Sequence, residues 1–361
     1  MRFLFLSTCP EPWGGSEELW WQAASELAGS GHGVGVLKTR LDASHQRIRA
    51  LRELGGRVAG LPAGHHVIQA AAVGATLAAR RPQLAIVCQG RNLDGAHLAL
   101  VCALMRVPYV VVSQKATEAE WPADRVRPYL ERAFVRARRA VFVSARNQTL
   151  TEQQIGAPIE RAVVLPNPVL AGLAGPLPWP EPNGLLRLAC VGRLFPAEKG
   201  QDIILNVLAM ERWRGRPLHV SFYGEGVNRE GLERLAHNLG LERVSFEGFA
   251  DDREGIWRRN HALVLPSRAE GLPLTVLEAM RCGRVPVVTD VGGSGEVVDD
   301  GATGFVAPSP TVHAFDDALE RAWAARGEWP AIGEAAARRI AELVPDERTC
   351  PLASLLLAEA T

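Results

Sequence analysis

Four side chains in the second half of the chain have the types and spacing to act on a phosphorylated, polyhydroxylated ligand. Arg193 and Lys199 stand six residues apart in VGRLFPAEKGQD, in a loop after a strand end, beside Gly192 and Gly200, which let backbone come close to a ligand. Two fixed cations at that separation can embrace a diphosphate. Glu270 and Glu278 lie in LVLPSRAEGLPLTVLEAMRCG with seven residues between them. The first precedes a helix that begins with Pro273 near its first turn and closes at Gly283; the second falls two turns inside it. The unpaired amides of such a first turn, around Leu274 and Thr275, favour an anion. A carboxylate beside an anion site is useful only if it holds something else, and sugar hydroxyls fit. Glu278 can accept two hydrogen bonds from a vicinal diol, as in a ribose. Taken singly, each of these charges reads as solvated.

The elements that must position them form an alternation of short apolar runs and amphipathic segments, the pattern of parallel sheets wound with crossover helices. In the first half, strands are expected at Arg2 to Leu6, Gly33 to Leu37, Leu84 to Cys88, Tyr109 to Val112, Ala140 to Val143 and Ala162 to Leu165. Helices are expected at Glu17 to Ser30, Asp42 to Leu54, Gly95 to Met105 and Arg125 to Arg138. Residues 166–185, rich in proline and glycine and without periodicity, read as a linker. The alternation then restarts, with strands at Leu186 to Val191, Leu218 to Phe222, Val244 to Glu247, Ala262 to Leu265 and Val285 to Thr289. The expected organisation is α/β, with two doubly wound Rossmann-like domains: 1–165, and 186–340 followed by a tail at 341–361 that packs back on the first domain. In such sheets ligands sit beyond the carboxyl ends of the strands.

Composition narrows the function. The 361 residues hold 40 basic and 40 acidic side chains, which argues against a protein that coats nucleic acid wholesale. Neutrality is global only: residues 1–165 carry 20 basic and 13 acidic groups, and 166–361 carry 20 and 27. Only Lys38, Lys115 and Lys199 are lysines, so each lysine in this arginine-preferring chain is a candidate for a specific role. The six cysteines are widely spaced, without CxxC or zinc-type spacing, and read as reduced thiols. The opening MRFLFLSTCPEP is too short in apolar residues for a signal peptide, and no run of about 18 apolar residues occurs. A soluble, cytoplasmic protein is expected.

GRLFPAEKG, followed by EGLPLTVLEAMRCGRVPVV and GGSGEVVDDGATGFV, resembles the C-terminal half of the family 4 glycosyltransferases, retaining enzymes of two-domain GT-B architecture. Glu270 and Glu278 match that family's E-x7-E signature, and PWGGSE at 12–17 resembles its glycine loop after the first strand. The resemblance implies two domains facing a central cleft and transfer of a sugar from a nucleoside diphosphate sugar. It implies that Arg193 and Lys199 hold the diphosphate, Glu270 the sugar and Glu278 the ribose. Gly271, Leu272, Pro273, Leu274 and Thr275 would complete the anion site with their backbone. Gly14 and Gly15 would approach phosphate or acceptor, and the base would lie near Gly248 and Phe249. No Asp-x-Asp occurs, so neither a metal nor a cofactor is expected.

The sequence departs from the family where a histidine commonly follows the strand at Tyr109 to Val112: here Ser113, Gln114 and Lys115 stand instead. Gln114, the nearby His97 and the loop residue Trp13 are the acceptor-side candidates, whereas Trp20 and Trp21 share a helical face and read as core. The arginine-rich stretch Asp124 to Arg139 fits either a solvated helix face or contact with an anionic membrane surface, which would suit a lipid-linked acceptor. Two other functions stay open: a nucleotide-sugar isomerase or epimerase of the same architecture, and a nucleotide-sugar-binding protein without turnover.

Overall fold

The structure, a computed structural model, describes residues 1–62, 65–91, 93–169, 172–173, 175–181, 184–344 and 350–361. It divides into two compact units, one of Met1–Pro168 with Arg348–Thr361, the other of Val169–Glu347.

The first unit is a parallel sheet of seven strands: β1 (Arg2–Ser7), β2 (Gly33–Thr39), β3 (Arg57–Leu61), β4 (Leu84–Gln89), β5 (Tyr109–Ser113), β6 (Arg139–Phe142) and β7 (Ala162–Val164), in spatial order β3-β2-β1-β4-β5-β6-β7. The central strands β4 and β5 are buried along their whole length, as parallel strands covered on both faces must be. The crossovers are α1 (Glu18–Gly29), α2 (Gln46–Glu53), α3 (His66–Arg80), α4 (Ala96–Leu104), α5 (Arg127–Val135) and α6 (Ala145–Ile155). The strand β3 and the helix α3 have no counterpart in the sequence reading. An edge strand leaves most of its residues exposed, and the alanine-rich α3 buries only Val73 and Leu77, so neither carries a strong apolar period. In α6 the buried face includes Asn147, Thr151 and Gln154, which hides it from a hydrophobic pattern. Trp20 is fully buried, whereas Trp21 is half-buried, its indole N–H donating to the Arg47 carbonyl at 2.8 Å.

The second unit has six parallel strands: β8 (Leu186–Val191), β9 (Leu218–Tyr223), β10 (Val244–Gly248), β11 (Ala262–Leu265), β12 (Val285–Thr289) and β13 (Phe305–Ala307), in order β10-β9-β8-β11-β12-β13. Its helices are α7 (Pro196–Lys199), α8 (Gln201–Ala209), α9 (Glu211–Arg214), α10 (Arg229–Asn238), α11 (Arg253–Arg259), α12 (Leu274–Arg281), α13 (Ser294–Val297), α14 (Val312–Ala324) and α15 (Trp329–Leu343). The core on one face joins Leu188, Val220, Phe222 and Val264 to Ile204, Phe315 and Trp329.

The proline-rich run is not a free linker along its length. Arg284, fully buried, donates to the carbonyls of Trp257 (2.7 Å), Pro178 (2.7 Å) and Leu177 (3.3 Å), and Leu177 N–H donates to Cys282 O at 3.1 Å. The second unit therefore begins at Val169 rather than at 186. Residues 170–171, 174 and 182–183 of the expected linker, and 345–349 of the expected tail, lie outside the described residues. The chain ends in α16 (Pro351–Glu359), whose Leu352, Ala353 and Leu356 are buried and which packs on α1 in the first unit. Arg138 donates to the Glu359 carbonyl at 2.6 Å and Arg139 pairs with its carboxylate at 2.6 Å, so two arginines of the basic stretch serve this helix. Among the described residues, no helix is long and apolar enough to cross a membrane.

Candidate functional site

In the second unit the strand order, not the chain order, builds the site. Because β8 and β11 are neighbours in the sheet, the loops leaving their carboxyl ends lie side by side. Lys199 does not sit in an open loop, as expected; it closes the one-turn helix α7. Gly200 follows at φ 65°, where a Cβ would stand 1.9 Å from the Pro266 carbonyl oxygen, so only glycine lets α7 reach the β11 loop. That loop is fastened from its own side. The N–H groups of Arg268 and Ala269 donate to the Glu198 carbonyl at 2.7 and 3.1 Å, and Arg268 forks onto Asp202 at 2.6 and 2.8 Å.

Held this way, Lys199 Nζ lies 2.6 Å from Glu270 Oε1, and the Ser267 hydroxyl donates to the same oxygen at 2.7 Å. The glutamate is almost wholly buried, while the lysine keeps a fifth of its side chain in solvent. Arg193 pairs with Glu198 at 2.8 Å. Gly192 lies against the Lys199 stem. Gly271 and Leu272 are buried, and Pro273 is the N-cap of α12, one position before the first turn where the sequence placed it. Leu274 and Thr275 open the helix, half-buried. Glu278, on the second turn and buried, pairs with Arg253 of α11 at 2.7 Å. Gly248 ends β10 at φ 77°, and Phe249 beyond it is exposed.

Glu198, Ser267 and Arg253 escaped the sequence reading. Glu198 adjoins Lys199 and could have been suspected; Arg253 is 25 residues from its partner, and no spacing rule joins them.

In the first unit, Gly14 has extended backbone (φ −159°), and a Cβ there would meet no atom within 4 Å. The fold thus leaves open space at Gly14 without requiring glycine. Gly15 begins a single 3₁₀ turn, Gly15–Glu17, that leads into α1. Trp13 stacks on His45 at 4.4 Å and donates to Glu18 at 2.9 Å. His97 sits on α4 against Gln69 (2.8 Å) and the His66 ring, and burial, then His66, push its pKa down to about 4. Gln114 is buried just past β5. Its side-chain nitrogen, both side-chain atoms of Gln89 and the Ser113 hydroxyl have no hydrogen-bond partner among the described residues. Gln89 and Ser113 are register partners at the ends of β4 and β5, so these orphans form one neutral polar cluster at the carboxyl edge of the sheet. Buried polar groups are ordinarily paired, so this edge is built for polar company.

Residues 186–325 match the family model described as Glycosyl transferases group 1. The match takes in most of the second unit and less than half of the chain. The chain is 36% identical over 134 residues to the alpha-D-kanosaminyltransferase of Streptomyces kanamyceticus, an overlap of 36% of this chain and 34% of that one. The chain spans about a third of the length of the curated relatives it matches. The fold of the chain is GT-B. The Anabaena protein HepE, solved in complex with UDP, superposes over 100% of both chains with a TM-score of 0.80 at 19% identity. The sucrose-phosphate synthase of Thermosynechococcus elongatus does so over 99% of both with 0.81 at 18%.

Proposed function

We propose that this chain is a retaining glycosyltransferase that moves a sugar from a nucleoside diphosphate sugar to an acceptor hydroxyl without a metal ion. The observation that carries the reading is the Lys199–Glu270 pair, in which a cation and a carboxylate meet at the mouth of a helix start inside the stretch that matches the group 1 family model. An arriving diphosphate replaces Glu270 as the acceptor for Lys199 and Glu198 as the acceptor for Arg193. Glu270 Oε1 is thereby released toward the hydroxyls of the sugar, with Ser267 holding its orientation. The cations then stabilise charge that grows on the leaving phosphate as the anomeric C–O bond breaks, which is where a transition state gains most. The acceptor hydroxyl forms the new C–O bond on the same face, and its proton passes to the departing phosphate oxygen. A carboxylate held by Ser267 and occupied by the sugar's hydroxyls is turned away from the anomeric carbon, which favours this front-face route over a covalent glycosyl-enzyme. Glu278, oriented by Arg253, takes the ribose diol. On the acceptor side, Gln114 with Gln89 and Ser113 supply neutral donors and acceptors matched to hydroxyls. The kanosaminyltransferase similarity and the neighbour solved with UDP support the nucleotide-sugar class.

A screen of nucleoside diphosphate sugars for thermal stabilisation tests the donor: a true donor at a hundred times its Kd adds about 2.7 kcal/mol. The anomeric configuration of the product, read by NMR, then tests retention. No donor raising Tm would count against the enzyme reading, and an inverted product would remove the front-face step.

A further inference from the structure

The sequence draws attention to three lysines, and the proposed chemistry uses only Lys199. We propose that Lys38 is a positioning residue that shapes the Trp13–Gly15 loop through a buried clamp on both its flanks. This inference rests on the reading of that loop as ligand-facing.

Lys38 lies on β2 in register with Ser7, the last residue of β1, so the two side chains stand together where the loop departs. Its side chain has no solvent exposure. The ammonium group has three protons and finds four acceptors: Glu17 Oε2 at 3.0 Å, the Glu11 carbonyl at 2.9 Å, the Thr39 carbonyl at 3.2 Å and, more loosely, the Cys9 carbonyl at 3.5 Å. Ser7 donates to the other Glu17 oxygen at 2.9 Å. Cys9 and Glu11 precede Trp13–Gly15, and Glu17 follows it. One buried nitrogen thus fixes the loop on entry and exit, while Gly14 between them faces open space.

A clamp of this kind needs a lysine. A guanidinium spreads its donors in a plane and is larger, and a closed site has no room for it. An aliphatic residue fills the volume but strands the Glu17 carboxylate without its cation, which is the costly way to break a buried pair. Removing both charges together avoids that cost and leaves the loop untethered. Gly14 supplies the matching probe, because a side chain there costs the fold nothing yet occupies the space a ligand would enter.

The test compares four full-length proteins: wild type, Gly14→Val, the double variant Lys38→Met with Glu17→Gln, and the combination. Each is checked for folding by circular dichroism. Amide exchange over residues 8–17 is followed by mass spectrometry, and kcat and KM for sugar transfer are measured with the best nucleotide sugar from the donor screen. The clamp predicts that the double variant folds, exchanges residues 9–15 at least tenfold faster and loses at least tenfold in kcat/KM. Gly14→Val loses activity with exchange unchanged. The combination is no worse than the poorer of its parents, because both changes act through one loop. Losses that multiply, or an untethered variant with wild-type kcat/KM, overturn the proposal. A Gly14→Val protein with full activity overturns the ligand-facing reading, and the clamp's role in turnover with it; faster exchange in the double variant then identifies the clamp as structural only.

Discussion

Lys199 and Glu270, 71 residues apart in sequence, meet at 2.6 Å because β8 and β11 are adjacent in the sheet. Each is held by its own loop, and each loop is fastened to the other through the Glu198 carbonyl. The pair is therefore set by the fold itself, with an acid as the acceptor for the Lys199 ammonium group.

Replacing Glu270 by alanine is expected to reduce transfer at least 100-fold, the scale seen when a preorganised polar group is removed from a reacting centre. Nucleoside diphosphate binding stays near wild type, because Lys199 then offers its charge without an internal competitor. The unpaired lysine costs about 2 kcal/mol of stability, less than a fully buried pair would, since it keeps some solvent. Calorimetric titration and a transfer assay on the same preparation separate the effects; parallel losses in both would contradict the assigned role.

Gly200→Ala places a Cβ against the Pro266 carbonyl in a left-handed backbone conformation. Strain in that region costs about 1–3 kcal/mol before the clash is added. The second unit should lose several degrees in Tm, and transfer should fall as Lys199 shifts. An unchanged Tm would mean that α7 can move away from the β11 loop at no cost.

Arg253→Gln removes a charged partner of the buried Glu278 carboxylate. A destabilisation of about 1–3 kcal/mol is expected. Affinity for nucleoside diphosphates should weaken more than affinity for inorganic diphosphate, because the change reaches the ribose contact only. Equal weakening for both ligands would place Glu278 elsewhere in the site.

His97 gives a pH signature. Its pKa falls from 6.5 to about 4 in the folded protein, so between those values the unfolded chain binds a proton that the folded chain does not. Stability from this group is complete above about pH 6.5 and is lost as pH falls toward 4. His97→Gln keeps a donor for Gln69 and should flatten that limb of a urea-denaturation series run from pH 7.5 to 4.5. Asp94, raised to about 6 by burial and bonded to Thr8 at 2.6 Å, acts in the opposite sense: its contribution declines as pH rises through that value. Asp94→Asn should therefore gain more stability at pH 7.5 than at pH 4.5.

Transfer should persist in excess EDTA, since no Asp-x-Asp is present and Arg193 and Lys199 supply the positive charge. Activity lost to EDTA and restored by magnesium or manganese would show that the cation pair is not sufficient.

Much of the fold was legible because the strands that matter are buried on both faces. The runs at Leu84, Tyr109, Ala262 and Val285 are uninterrupted and apolar, and each became a strand within a residue or two of its expected bounds. The strands β3 and β13 and the helices α3 and α6 have no counterpart in the sequence pattern, for β3 is mostly exposed, β13 is only three residues long, α3 is alanine-rich and α6 buries polar side chains. The start of the second unit was placed too late because proline-rich sequence looks like linker, whereas Arg284 binds its carbonyls into the domain.

Residue type and local spacing settled which groups of the site can carry charge and that a helix begins just beyond Glu270. Those are properties of a few consecutive residues. Three partnerships were decided by tertiary structure alone: Lys199 with Glu270, Glu278 with Arg253 and Lys38 with Glu17, each joining separate elements of the sheet and its crossovers, whereas Arg193 and Glu198 stand only five residues apart. Ion pairing depends on distances of a few ångströms, and those are set by which strands lie side by side, an order that no local pattern records.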